Sequence, residues 1–243
     1  MNVWAISDTG IVRQENQDAY RVEKPATGQI LLVVCDGMGG ARAGNTASQL
    51  AVRAFGDAVA ERLATAQTQE EAPAILSDAA ALANRTVWTR GCTDPDCFGM
   101  GTTLVAALIW QERCYIVNIG DSRAYSVSRS GIRKITRDHS VVEDLVLRGE
   151  ITPEQARTHP QKNLITRALG TTERVRADLY EEPCEAGSFL LLCSDGLSNV
   201  VTEQEILYEI IHGGQPEDCC NRLLDTALQR GAPDNVTAVL LQM

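Results

Sequence analysis

An apolar run that stops abruptly at an aspartate beside a glycine occurs three times in this chain. It appears as Leu31-Leu-Val-Val-Cys-Asp36-Gly37, as Tyr115-Ile-Val-Asn-Ile-Gly120-Asp121 and as Leu190-Leu-Leu-Cys-Ser-Asp195-Gly196. Short apolar runs bounded by turn residues read as buried strands. Each of these strands would deliver a carboxylate at its end. A fourth carboxylate, Asp234, precedes the apolar run 236–242, and a fifth, Asp18, follows the first strand-like segment.

Strand ends of one sheet system converge, and converging carboxylates repel unless something neutralises them. A hard divalent cation such as Mg²⁺ or Mn²⁺ does so through oxygen ligands. Glycine next to the ligand lets backbone approach, which makes the Gly37 carbonyl a further donor. The competing reading is that each aspartate serves only its turn, because Asp-Gly is ordinary turn chemistry. Spacing alone leaves both readings open. The chain has no HExxH and no doubled CxxC, so zinc is not the default metal. Arg13, five residues before Asp18, is either a surface arginine or a two-pronged grip on a phosphate.

The 243 residues carry a formal net charge of -10 and are 44% hydrophobic. That is enough apolar content for a substantial core. The acidic balance disfavours nucleic acid and anionic membrane as partners. No run is long enough to span a bilayer, and the first ten residues lack a secretory pattern, so a cytoplasmic, monomeric protein is expected. Eight cysteines in such a chain read as reduced thiols. The Cys92-to-Cys97 spacing also fits a loop disulfide or half a zinc site, but neither has the compartment or the partner ligands it needs.

Strands are expected over 2–7, 30–35, 102–110, 114–119, 124–128, 132–135, 176–181, 188–193 and 236–242. Tight turns at 111–113 and 129–131 imply antiparallel pairing. Helical spacing predicts a helix over 45–64. Thr68 with Glu71 opens a second helix, which Gly91 would stop. Short helices follow over 141–147 and after Thr152, with Pro153 at the first position. Near the end, one helix is capped by Thr202 and Glu205 and stops at Gly213; another opens at Pro216 and stops at Gly231. The pattern predicts an α+β fold, with packed sheets inside and helices outside.

With these residues in place, the chain resembles the metal-dependent serine/threonine protein phosphatases called PPM or PP2C, in their small bacterial form. The resemblance is carried by an ordered set of segments: Ser7-Asp-Thr-Gly10, Arg13-Gln-Glu-Asn-Gln-Asp18, Val34-Cys-Asp-Gly-Met-Gly-Gly40, Gly101-Thr-Thr103, Gly120-Asp-Ser-Arg123, Asp138-His-Ser140, Leu164-Ile-Thr-Arg-Ala-Leu-Gly170, Cys193-Ser-Asp-Gly-Leu197 and Asp234-Asn-Val-Thr237. It implies a four-layer αββα sandwich of two antiparallel sheets flanked by helices, one catalytic domain over 1–243, and a flap at about 141–167. It also implies two or three Mn²⁺ or Mg²⁺ ions. Asp36 would bridge two of them, Asp195 and Asp234 would complete one site, and the Gly37 carbonyl would complete the other with Asp18 nearby. Asp121 with Asp195 would hold the third, and Arg13 would bind phosphate. Attack by a metal-activated water leaves Ser122 and Ser194 as turn hydrogen-bonders rather than nucleophiles.

The chain departs from its relatives at three positions. Gln17 stands where many have Glu, and Met38 and Ala41 stand where a histidine is common. The loop after Asp36 therefore offers no general acid. His139 is a weak substitute, and His159 reads as a solvated loop residue. The implied activity is hydrolysis of phosphoserine or phosphothreonine in proteins, opposing a bacterial Ser/Thr kinase. Two other readings stand beside it: a phosphatase-like binding module without turnover, and a hydrolase of small phosphorylated metabolites. The acidic surface further suggests basic residues near the phosphosite.

Overall fold

The computed structural model describes residues 1–25, 28–40 and 43–243. Its strands are β1 (Asn2–Asp8), β2 (Asp18–Glu23), β3 (Ile30–Met38), β4 (Gly101–Thr102), β5 (Leu104–Trp110), β6 (Arg113–Ile119), β7 (Arg123–Ser128), β8 (Gly131–Lys134), β9 (Asp178–Pro183), β10 (Phe189–Cys193) and β11 (Val236–Gln242). Its helices are α1 (Ala43–Leu63), α2 (Ala72–Thr93), α3 (Val141–Leu147), α4 (Pro153–Thr158), α5 (Asp195–Ser198), α6 (Glu203–Ile211) and α7 (Cys219–Gln229). One sheet runs β1-β11-β10-β7-β8 and the other β2-β3-β5-β6-β9, with β4 beside β3. Every pairing is antiparallel.

Side-chain alternation explains the layers. Along β3, Leu31, Val33 and Cys35 pack under α1 and α2, while Ile30, Leu32 and Val34 face the opposing sheet. Along β10, Phe189, Leu191 and Cys193 pack toward α6 and α7, while Leu190 and Leu192 point into the space between the sheets. Both faces of the central strands are covered, which is why they read as unbroken apolar runs. The result is the expected αββα sandwich.

Several expectations change in detail. Strand β2 was not anticipated; it is a short strand at the edge of its sheet. Residues 102–110 divide at Thr103, where β4 gives way to β5. Gly91 does not stop α2, which continues to Thr93. The stop is Asp94, extended at φ -116° and ψ 113° because the next residue is Pro95. A 3₁₀ turn over Gln69–Glu71 precedes α2, and another over Pro216–Asp218 precedes α7. The strand expected over 176–181 runs from Asp178 to Pro183. The Thr152 and Thr202 caps form as expected, each hydroxyl accepting from the backbone N–H three residues on. All eight cysteines are free, with Cys92 exposed and Cys97 buried. Among the described residues no helix is long and apolar enough to cross a membrane.

Candidate metal centre

Both sheets contribute to one edge of the sandwich. Asp36 sits near the end of β3, in register opposite Asp18 on β2. Asp121 follows β6. Asp195 is the first residue of α5, two residues past the end of β10, so it opens a helix rather than closing a strand. Asp234 lies just before β11. Asp36, Asp121, Asp195 and Asp234 line a single cleft of about 510 Å³, together with Arg13 and Gly37. Asp18 is the exception among the expected residues. It is only 5% exposed and lies beside Asp36 without lining the cleft.

The local chain geometry needs its glycines. A Cβ on Gly37 would run into the Gly44 carbonyl oxygen and lie 2.7 Å from that of Gln17. A Cβ on Gly196 would collide with the carbonyl oxygen of Asn235. Both positions let two backbone segments touch beside an aspartate.

Hydrogen bonds set the carboxylates in place. The Asp36 N–H donates to Thr103 Oγ1 (2.9 Å), and the Asp36 carbonyl accepts from Thr103 N (2.9 Å) and Thr102 Oγ1 (2.9 Å). Thr103 Oγ1 pairs in turn with Ser122 Oγ at 2.7 Å. Ser194 Oγ accepts from Thr237 N (3.0 Å) and therefore donates to Asp18 Oδ2 (2.7 Å). That bond ties the two sheets together. Asn235 pins the loop that carries Arg13: its Oδ1 accepts from Gln17 N (2.8 Å), and its Nδ2 donates to Thr9 O (2.9 Å) and Glu15 O (3.0 Å). Ser122 and Ser194 are thus hydrogen-bonders, as expected, but their partners are distant in sequence rather than in their own turns.

The carboxylates are only partly compensated, with Arg123 easing Asp121 and Asp195. Arg13 is the only basic residue among the described residues lining the cleft, and it pairs with Asp234 at 2.8 Å on the exposed rim. Burial, followed by the nearby charges of Asp18, Asp195, Asp121 and Asp234, pushes the Asp36 carboxyl well up from its ordinary range. Burial raises Asp18 to about 7 against the hydroxyls of Ser194 and Thr237, with Asp195 and Asp234 adding to the rise. Burial and then Asp195 raise Asp121 to about 8. Asp195 is raised by burial and Asp234, and eased by a hydrogen bond with Asp36. Each group is better stabilised once a cation is near.

The donor set fits hard divalent cations. Asp18 Oδ1 is buried with no hydrogen-bond partner, and the neighbouring side chains are oxygen donors. Among the described residues no three His, Cys, Asp or Glu side chains close into a complete cage by themselves. A backbone carbonyl and water belong to the expected donor set as well.

The structure withdraws His139 as a proton donor. Its Nδ1 accepts from Gly120 N (3.0 Å), which leaves Nε2 to donate to Asp178 Oδ2 (3.2 Å). Burial lowers its pKa, and it does not line the cleft. His159 lies in the loop after α4, where its Nδ1 accepts from Gln161 N. Gln17 lines the cleft and donates to Gly40 O (2.7 Å). Met38 lines it too, whereas Ala41 lies outside the described residues. Thr103 and Asn235 lie inside the sequence motifs, but nothing local in those motifs marks what they do. Their partners are set by the fold.

Residues 11–229 match the family model described as Protein phosphatase 2C. The chain is 38% identical over 237 residues to the serine/threonine phosphatase stp of Listeria monocytogenes, covering 97% of this chain and 93% of that protein. The crystal structure of serine/threonine phosphatase Stp1 from Staphylococcus aureus superposes with a TM-score of 0.92 at 38% identity, over 100% of this chain and 95% of that one. The catalytic domain of the serine/threonine phosphatase PstP, solved with 2 manganese ions, gives 0.85 at 36% identity, over 98% and 96% of the two chains. This chain belongs to the protein phosphatase 2C family.

Proposed function

We propose that this chain is a metal-dependent phosphatase of phosphoserine and phosphothreonine in proteins. One observation carries the reading: four aspartates from two different sheets line one cleft in which Arg13 is the only basic lining residue among the described residues. The names of the relatives and the manganese ions in PstP support it.

Asp36, Asp195 and Asp234, with the Gly37 carbonyl and Asp18, would hold two Mn²⁺ or Mg²⁺ ions, and Asp121 with Asp195 a third. Bound there, the ions supply Lewis acidity that activates water and neutralises charge on phosphate oxygens. The chain's own part is positioning. Arg13 stands at the rim, on a loop fixed by Asn235, where a guanidinium grips phosphate oxygens. Thr103 fixes Asp36 through both its N–H and its carbonyl. Ser194 holds Asp18 against Asp36. No side chain in the loop after Asp36 is assigned to protonate the leaving group.

Residues 1–243 are read as one catalytic domain, with a flap over 141–167. That segment supplies Asn163 and Ile165 to the cleft wall. The net charge of -10 supports phosphoprotein rather than nucleic-acid or membrane partners. A cognate Ser/Thr kinase, a monomeric state and a cytoplasmic setting complete the proposal. The test is release of phosphate from a phosphothreonine peptide with Mn²⁺. Metal-dependent release that Asp36→Ala abolishes is expected. No release, or release indifferent to that substitution, overturns the reading.

A further inference from the structure

Four exposed large apolar side chains stand on segments that line the cleft or touch its lining. Ile11 (62% exposed) and Val12 (66%) immediately precede Arg13. Leu164 (50%) lies between the lining residues Asn163 and Ile165. Phe98 (83%) is followed by Gly99, whose carbonyl oxygen is 3.3 Å from the Cβ position of the lining residue Gly39. Single exposed apolar residues are ordinary on a protein surface; their gathering around one cleft is not.

These side chains stand on fixed backbone. Ile11 N donates to Ala232 O at 3.1 Å, and Asn235 holds the loop on either side of Arg13. Phe98 N donates to Pro95 O at 3.3 Å, in a turn whose first residue, Asp94, accepts from Asp96 N. Leu164 N donates to Gln161 O at 3.1 Å, and its carbonyl accepts from Val141 N at 2.9 Å. An apolar group presented on a rigid loop loses little entropy when it is covered.

Resting on the phosphatase reading, we propose that this rim selects substrates: Val12, Phe98 and Leu164 contact apolar residues flanking the phosphorylated residue. The occupant is an extended phosphoprotein segment whose phosphate lies in the cleft beside Arg13. An extended chain advances about 3.3 Å per residue, so residues two to four places from the phosphate lie about 7–13 Å from it. Arg13 grips the phosphate common to all substrates, and the rim reads what differs between them.

The test compares three phosphothreonine peptides, with leucine, serine or lysine at the flanking positions, and p-nitrophenyl phosphate. The leucine-flanked peptide is expected to have about tenfold higher kcat/KM than the serine-flanked one, equivalent to ~1.4 kcal/mol. The double variant Val12→Ser/Phe98→Ser is expected to raise KM for the leucine peptide by a similar factor. It should leave kcat, the serine peptide and p-nitrophenyl phosphate turnover unchanged. Both side chains are exposed, and an unchanged melting temperature checks that folding is intact. Equal rates on leucine and serine peptides, a preference for lysine alone, or a variant that slows all substrates together overturns the proposal. Metal-dependent turnover of the serine peptide would meanwhile leave the phosphatase reading standing. Its absence on every substrate would sink that reading instead.

Discussion

Asp18 and Asp138 are equally buried, at 5% exposure each, yet their surroundings are opposite. Asp138 accepts from Arg123 Nε (2.9 Å) and Nη2 (2.7 Å) at Oδ2, and from Lys134 Nζ (3.3 Å) at Oδ1. The chain supplies its counter-charge. Asp18 has only hydroxyls for polar side-chain company, Ser194 donating to Oδ2 with Thr237 close by; its Oδ1 has no hydrogen-bond partner, and its charged neighbours are carboxylates. A buried carboxylate with its own cation closes a structural network. One left among other carboxylates needs charge from outside the chain, or a proton. Burial alone therefore does not separate structure from site; the sign of the neighbours does.

The sharpest way to break this contrast is a paired substitution in metal-free protein. Arg123→Met leaves the buried Asp138 with only the longer Lys134 contact and should cost about 3 kcal/mol of stability. Asp18→Asn removes one charge from a like-charged group and should cost far less, or stabilise. Urea unfolding of both variants decides it, and equal losses would erase the distinction.

A pH series tests the same point more gently. In the folded chain the carboxyls of Asp18 and Asp121 keep their protons up to about 7 and about 8, against an unfolded value of 3.8. Between those limits the folded state binds more protons, so these groups make stability fall as pH rises. EDTA-treated protein should lose stability from about pH 4 to about pH 8, where Asp121 has ionised and the loss levels off; the stretch from about 6.5 to 8 lies above the range where His139 titrates. Saturating Mn²⁺ should flatten the loss. A rise over that window without metal would refute the assignment.

The smallest stability effect belongs to Arg13→Ala. The Arg13–Asp234 pair is exposed, so its loss should change stability by less than about 1 kcal/mol. KM for a phosphopeptide should nevertheless rise about tenfold, the value of one charge-assisted grip. A large stability loss with KM unchanged would move Arg13 from the site to the scaffold.

Much of this protein could be read along the chain. The central strands were legible because β3, β5 and β10 are covered on both faces and so carry continuous apolar runs. Thr152 and Thr202 marked helix starts because a cap bonds only three residues away. Edge strand β2 escaped notice because it lacks such a run. Gly91 misled as a helix stop because a proline four residues on exerts the stronger steric constraint.

The aspartates and glycines of the cleft, and Arg13, were named from sequence. What the chain alone left open was whether those aspartates meet. Asp36 on β3 and Asp195 just after β10 come from different sheets, the Ser194–Asp18 bond joins residues 176 positions apart, and the Arg13–Asp234 pair joins residues 221 apart. Local sequence determines which residues end a strand or cap a helix, because those forces act within a turn. Only the packing of one sheet on the other brought the partly compensated carboxylates to one edge, because long-range contacts form when distant apolar faces bury each other.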